Sequence, residues 1–212
     1  MSMLDKMVAA MTPSESDAQR REVRSKAREL AARHGWLAAV LDHHEQIEEA
    51  FANVVHTDEA ATRRAAQTRL GIVLTAHAIA EESVLYPALA RIGDRSLAES
   101  AYKEQAEAKM NIAELERIAP MSGEYLEKLE ALRKAVAHHV FQEEGTWFVE
   151  LATKAPMPEQ DRIEQRYESE FARYMGAVGS ENGRGTPFST APTIPRRTTE
   201  LTYGGATEDR GR

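Results

Sequence analysis

One stretch occurs twice in this chain, and it limits the possible folds more than any other feature. The first copy is His77-Ala78-Ile79-Ala80-Glu81-Glu82-Ser83-Val84-Leu85-Tyr86, and the second is His139-Val140-Phe141-Gln142-Glu143-Glu144-Gly145-Thr146-Trp147-Phe148. Each reads His, three residues, Glu-Glu, two residues, then two large apolar or aromatic residues. On a helix, positions four apart share a face and lie roughly 6 Å apart along the axis. His77 and Glu81 therefore point the same way, and so do His139 and Glu143. Both pairs fall inside the apolar stripe of their own helix, marked by Leu70, Val73, Leu74 and Val84 in one case and Leu132, Val136, Val140 and Trp147 in the other. A carboxylate buried without a partner costs several kcal/mol. Two inward glutamates on two helices therefore need compensation. A shared metal supplies it, and imidazole with carboxylate suits iron, manganese or zinc.

The rest of the chain supports four long amphipathic helices. Residues 1–12 can form a short helix, and 14–33 read as a charged helix with a thin stripe through Val23, Ala27 and Leu30, closed by Gly35. The first core helix spans about 36–56, with His44 in mid-stripe and His43 at its edge. The second spans about 58–92, with Pro87 expected to bend or break its last turns and Gly93-Asp94 closing it. The third spans about 96–118, with Glu104 and Gln105 straddling its inward position. The fourth spans about 123–153, with Ser122 as N-cap. Short loops between such helices predict an all-α fold, an antiparallel up-and-down four-helix bundle with extra flanking helices. No strand pattern is present. The domain reading is a helical extension over 1–35, the bundle over 36–153 and a C-terminal helix over 154–178. Residues 179–212 are rich in Gly, Pro, Ser, Thr and Arg and read as a disordered tail.

Composition removes several function classes. The chain has 212 residues and no cysteine, so thiolate catalysis, Cys-ligated zinc and iron–sulfur clusters are excluded. The formal net charge of −7 argues against nucleic acid or an anionic membrane surface as partner. No apolar run approaches the roughly 20 residues of a membrane span. Residues 1–11 make a poor signal peptide because Asp5 and Lys6 interrupt them. The expected location is cytoplasmic. No phosphate loop, dinucleotide fingerprint or Ser/His/Asp arrangement competes for the function.

A single His and Glu four apart is usually a surface pair, and a lone His on an apolar face is usually a core histidine. Convergence changes the weighing: three helices place His44, His77 and His139 inward, and two of them add Glu81 and Glu143 one turn later. That pattern, with the wording "DHHEQIEEAF", "HAIAEESVLYPAL" and "HHVFQEEGTWF", resembles the hemerythrin-like, or HHE cation-binding, family over about residues 36–153. The resemblance implies a four-helix bundle around a centre of two non-haem iron ions. His44, His77 and His139 would be terminal ligands, and Glu81 and Glu143 the carboxylates able to bridge. The family usually supplies a further His from the third helix. Here Gln105 stands at that position, preceded by Glu104, with Tyr102 one turn earlier also able to reach inward.

The remaining candidates are blander. His43 and His138 read as exposed, with a supporting role to the metal ligands as the alternative. Glu82 and Glu144 read as solvated or paired with Arg or Lys, His34 and His56 as helix-end residues, and Trp36, Tyr86, Trp147 and Phe148 as core. The leading functional expectation is a protein binding O2, NO or peroxide, for sensing, storage or detoxification. Two other classes stay open: a non-redox binder of iron, zinc or manganese, and a helical interaction module without bound metal. Oligomeric state is not legible in the chain.

Overall fold

A computed structural model of the chain describes residues 15–93 and 95–181, with side chains through residue 176. The expected helix over residues 1–12 and the tail beyond residue 181 lie outside the described residues. Every regular element among the described residues is helical: α1 Asp17–Ala31, α2 Gly35–Val55, α3 Ala60–Ala80, α4 Tyr86–Arg91, α5 Arg95–Leu115, α6 Gly123–Gln142, α7 Phe148–Lys154 and α8 Met157–Glu181. Two π-helical segments, Glu81–Leu85 and Glu143–Trp147, join α3 to α4 and α6 to α7. Each repeat therefore sits on one continuous rod. The four rods α2, α3–α4, α5 and α6–α7 form the bundle, reversing direction at short connections.

Local chemistry explains the boundaries. Ser16 opens α1 with a capping box closed by Gln19. The Ser122 hydroxyl accepts from the Tyr125 N–H at the start of α6. Gly93 follows the end of α4 at φ 107°, a conformation that favours glycine. Gly35 begins α2 rather than closing the preceding helix, which already ends at Ala31. The Trp36 N–H there donates to the Glu164 carboxylate of α8, which serves one of the orphan donors of the first turn. Pro87 does not break its rod, which runs on as helix to Arg91. The wide π turn lies just before it, so the missing N–H is accommodated without ending the helix.

The apolar core is split into two layers. One contains Trp36, Leu41, Leu85, Phe148 and Ile163; the other contains Ile47, Phe51, Leu70, Leu115, Leu129 and Leu132. Every bundle rod passes through both layers, and each changes layer at its polar position: His44 on α2, His77 and Glu81 on the second rod, Gln105 on α5, His139 and Glu143 on the fourth. The bundle thus has one polar storey between two apolar ones.

Two helices outside the four complete the walls. α8 packs along α2 and α3, and α1 along α2 and the second π segment. Ile163 and Tyr167 of α8 are fully buried. Gly145 lies where α1 crosses: a Cβ there would meet a Val23 methyl at 3.3 Å, tighter than ordinary van der Waals contact. α8 spans Met157–Glu181, starting after the expected 154 and ending after the expected 178, so helix continues into the first residues that composition assigned to a disordered tail.

Candidate metal centre

Four buried side chains converge in the polar storey. His44 Nε2, His77 Nε2, one Glu81 oxygen and one Glu143 oxygen all lie within 4.8 Å of one another. His77 Nε2 is 3.1 Å from Glu81 Oε1, and His44 Nε2 is 3.3 Å from Glu143 Oε2. Glu81 and Glu143 are fully shielded from solvent. Yet His44 Nε2, His77 Nε2, Glu81 Oε1 and Glu143 Oε2 have no hydrogen-bond partner at all. Orphaned buried polar atoms are rare and costly. Here four of them face one point, with two imidazoles and two carboxylates as donors. That set suits iron, manganese or zinc, and a divalent ion would balance the two carboxylate charges.

The electrostatics carry the same message. Burial, and then the Glu143 charge, push the Glu81 carboxyl up to about 7. Burial raises Glu143 as well, but the His139 and His44 imidazoles outweigh it and hold that carboxyl below its usual range. Burial opposes a charge on His139, yet Glu143 and Glu104 lift it to about 10. His44 is likewise raised well above its ordinary value against burial, by Glu143, Glu144 and Glu81. His77 is pushed well down by burial and the neighbouring His44.

Each inward imidazole is held from behind through Nδ1. Glu144 accepts from His44 at 2.8 Å, Glu104 contacts His139 Nδ1 at 2.8 Å, and the Tyr167 hydroxyl contacts His77 Nδ1 at 3.2 Å. Such contacts fix ring orientation, and on His44 and His77 they leave Nε2 without a partner, free to face a metal. Glu144 is itself clamped by Arg24 of α1, whose Nε donates at 2.9 Å while its other nitrogens reach Glu48. Glu144 is thus buried rather than solvated, paired with arginine as expected, and it orients a site histidine.

Of the two straddling residues on α5, Gln105 turns inward and Glu104 stands behind His139. Gln105 Nε2 donates to Glu81 Oε2 at 2.6 Å. His139 Nε2 lies 3.1 Å from Glu143 Oε1, on the far side of the four-residue cluster. Tyr102 does not reach inward; the residue is 40% exposed and its hydroxyl donates to the Glu82 carbonyl. Glu82 pairs with Lys109. His43 is buried, not exposed: it stacks on Phe171 at 3.6 Å between ring centroids and contacts the Tyr167 hydroxyl. His138 is half-buried and contacts Glu15. His34 and His56 flank α2 as caps.

Tyr86 is the main residue that sequence reasoning missed. Its ring is in the core, as expected, but its hydroxyl enters the polar storey and touches Glu81, Glu143, His139 and Gln105. The π segment explains this. The Tyr86 N–H bonds to the Glu81 carbonyl five residues back, so residues five apart align, where an α-helix aligns residues three or four apart. Tyr167, on α8, was equally hidden, because nothing in the spacing of that helix shows which part of the bundle it covers.

Replacing Glu144 with alanine should weaken metal binding by about 10–100-fold, the usual cost of losing a group that orients a ligand. Glu82→Ala should leave affinity unchanged. Competition titration against a chelator measures both, and equal affinities in the two variants would contradict the orienting role.

The bundle, the paired His-x-x-x-Glu helices and the orphaned donor atoms together describe a cation-binding helical domain. The family model for the hemerythrin HHE cation-binding domain matches residues 3–151, and the chain belongs to that family. The match takes in α1 as well as the four bundle rods. A curated relative, a DNA nickase from Nostoc sp., is 28% identical over 108 residues, covering 51% of this chain and 31% of the relative. The chain therefore spans about a third of that protein's length. No solved structure matches the chain significantly. No helix among the described residues is long and apolar enough to cross a membrane.

Proposed function

We propose that the chain is a non-haem iron protein that binds O2, NO or peroxide, in sensing, storage or detoxification. The observation that carries this reading is the set of four buried, unpartnered donor atoms on His44, His77, Glu81 and Glu143. Two imidazoles and two carboxylates leave an iron ion coordinatively unsaturated. Iron bound there supplies the capacity to take a small ligand and exchange electrons with it. The chain's own residues hold the imidazoles in register, keep bulk water out with two apolar layers, and place the Tyr86 hydroxyl beside the carboxylates. The nickase relative does not extend this reading to DNA. The overlap is a third of that protein, and the net charge of −7 disfavours a polyanion.

The test is to load the protein with iron(II) without oxygen and add NO. New visible absorption and a changed EPR spectrum are expected, with no response from zinc-loaded protein. Iron-loaded protein that stays unchanged would retire the gas-binding reading and favour a non-redox metal store.

A further inference from the structure

We infer that the centre holds a single metal ion, and that the Tyr86 hydroxyl fills the position where a second ion would sit. The inference rests on the metal-binding reading above and concerns how many ions the storey takes. Its basis is an asymmetry between the two halves of the polar storey. In the near half, His44 Nε2, His77 Nε2, Glu81 Oε1 and Glu143 Oε2 all lack partners. In the far half, the other oxygens of the same carboxylates, with His139 and Gln105, are all satisfied by protein groups.

The Tyr86 oxygen is the hub of that far half. It lies 3.1 Å from Glu81 Oε2, 3.0 Å from Glu143 Oε1, 3.1 Å from His139 Nε2 and 2.9 Å from Gln105 Nε2. A phenol has one proton to donate and two lone pairs to accept with. The contacts match that capacity: the O–H donates to a carboxylate oxygen, a Gln105 N–H donates to the phenol oxygen, and His139 Nε2 lies within hydrogen-bond distance of it. The second N–H of Gln105 goes to Glu81 Oε2. Glu104 fixes His139 by its far nitrogen. Each of these far-half groups has a protein partner, and Glu81, Glu143 and Tyr86 are fully buried.

Two features build this network into the fold. The π turn stacks Tyr86 directly over Glu81, five residues on. Gln105 then supplies two donors where an imidazole would present one ring nitrogen as a ligand. A second cation would have to displace a buried hydroxyl from four partners, and the α5 position facing it offers only a neutral amide.

The full chain should be loaded with iron(II) anaerobically, desalted and oxidised in air, and its iron content measured by elemental analysis alongside EPR. One iron per chain is expected, with the EPR signal of an isolated high-spin ferric ion. Two irons per chain in an EPR-silent, coupled pair would overturn the single-ion assignment and leave the metal-binding reading standing. Folded protein with no iron would overturn both. The double variant Tyr86→Phe, Gln105→His removes the hub hydroxyl and adds an imidazole. Its iron content should rise from one towards two per chain, with loss of the isolated-ion signal. A folded double variant that still holds one iron would overturn the role given to Tyr86.

Discussion

Glu143→Ala should lose its metal and much of its stability. Its carboxylate is the most connected in the polar storey: Oε2 faces His44 and the near donors, and Oε1 meets His139 and the Tyr86 hydroxyl. Removing it deletes one of four converging donors, so metal affinity should fall by more than about 100-fold, beyond the usual cost of disturbing a supporting group. It also strips the raised imidazoles of His44 and His139 of their main countercharge. Breaking one partner out of a buried ionic cluster costs about 3–5 kcal/mol. His77→Ala should strip the metal in the same way. His56→Ala, at the exposed end of α2, should change neither metal content nor melting. Elemental analysis and thermal denaturation of the three variants decide it; equal metal content throughout would remove the site assignment.

Metal removal from the unaltered chain should lower its melting temperature by about 10 °C. Binding to the native state alone stabilises it by about 4 kcal/mol when free metal is a thousand times Kd. In a domain of this size each kcal/mol moves the midpoint by about 2–4 °C. The structural reason is the two carboxylates held together out of solvent, one of them pushed up to about 7 by burial and then by the charge of the other. Melting curves with and without chelator give the answer. A midpoint indifferent to chelation would mean that the apolar layers alone hold the bundle, as in a helical interaction module.

The four bundle rods were readable because their apolar stripes keep a period near 3.6 residues over many turns, long enough for tertiary context not to obscure it. The inward direction of His44, His77, Glu81, His139 and Glu143 followed from the same stripes. What failed was the place where that period changes. A π segment begins at each site glutamate, and across it the α-helical rule assigns the wrong neighbours. Tyr86 therefore read as plain core, although it lies directly over Glu81. Residues whose role depends on a partner distant in sequence were equally hidden. Glu144 is buried because Arg24 arrives from α1, 120 residues away. His43 is buried because Tyr167 and Phe171 arrive from α8. Periodicity shows that a helix has an apolar face; it does not show which helix covers it.

The most direct test of the account is a crystal structure of iron-loaded protein with anomalous diffraction measured at the iron edge. The account predicts an anomalous peak in the polar storey, within bonding distance of His44 Nε2, His77 Nε2, Glu81 and Glu143. Iron-loaded crystals whose anomalous peak lies elsewhere, or that show none between those four side chains, would contradict it.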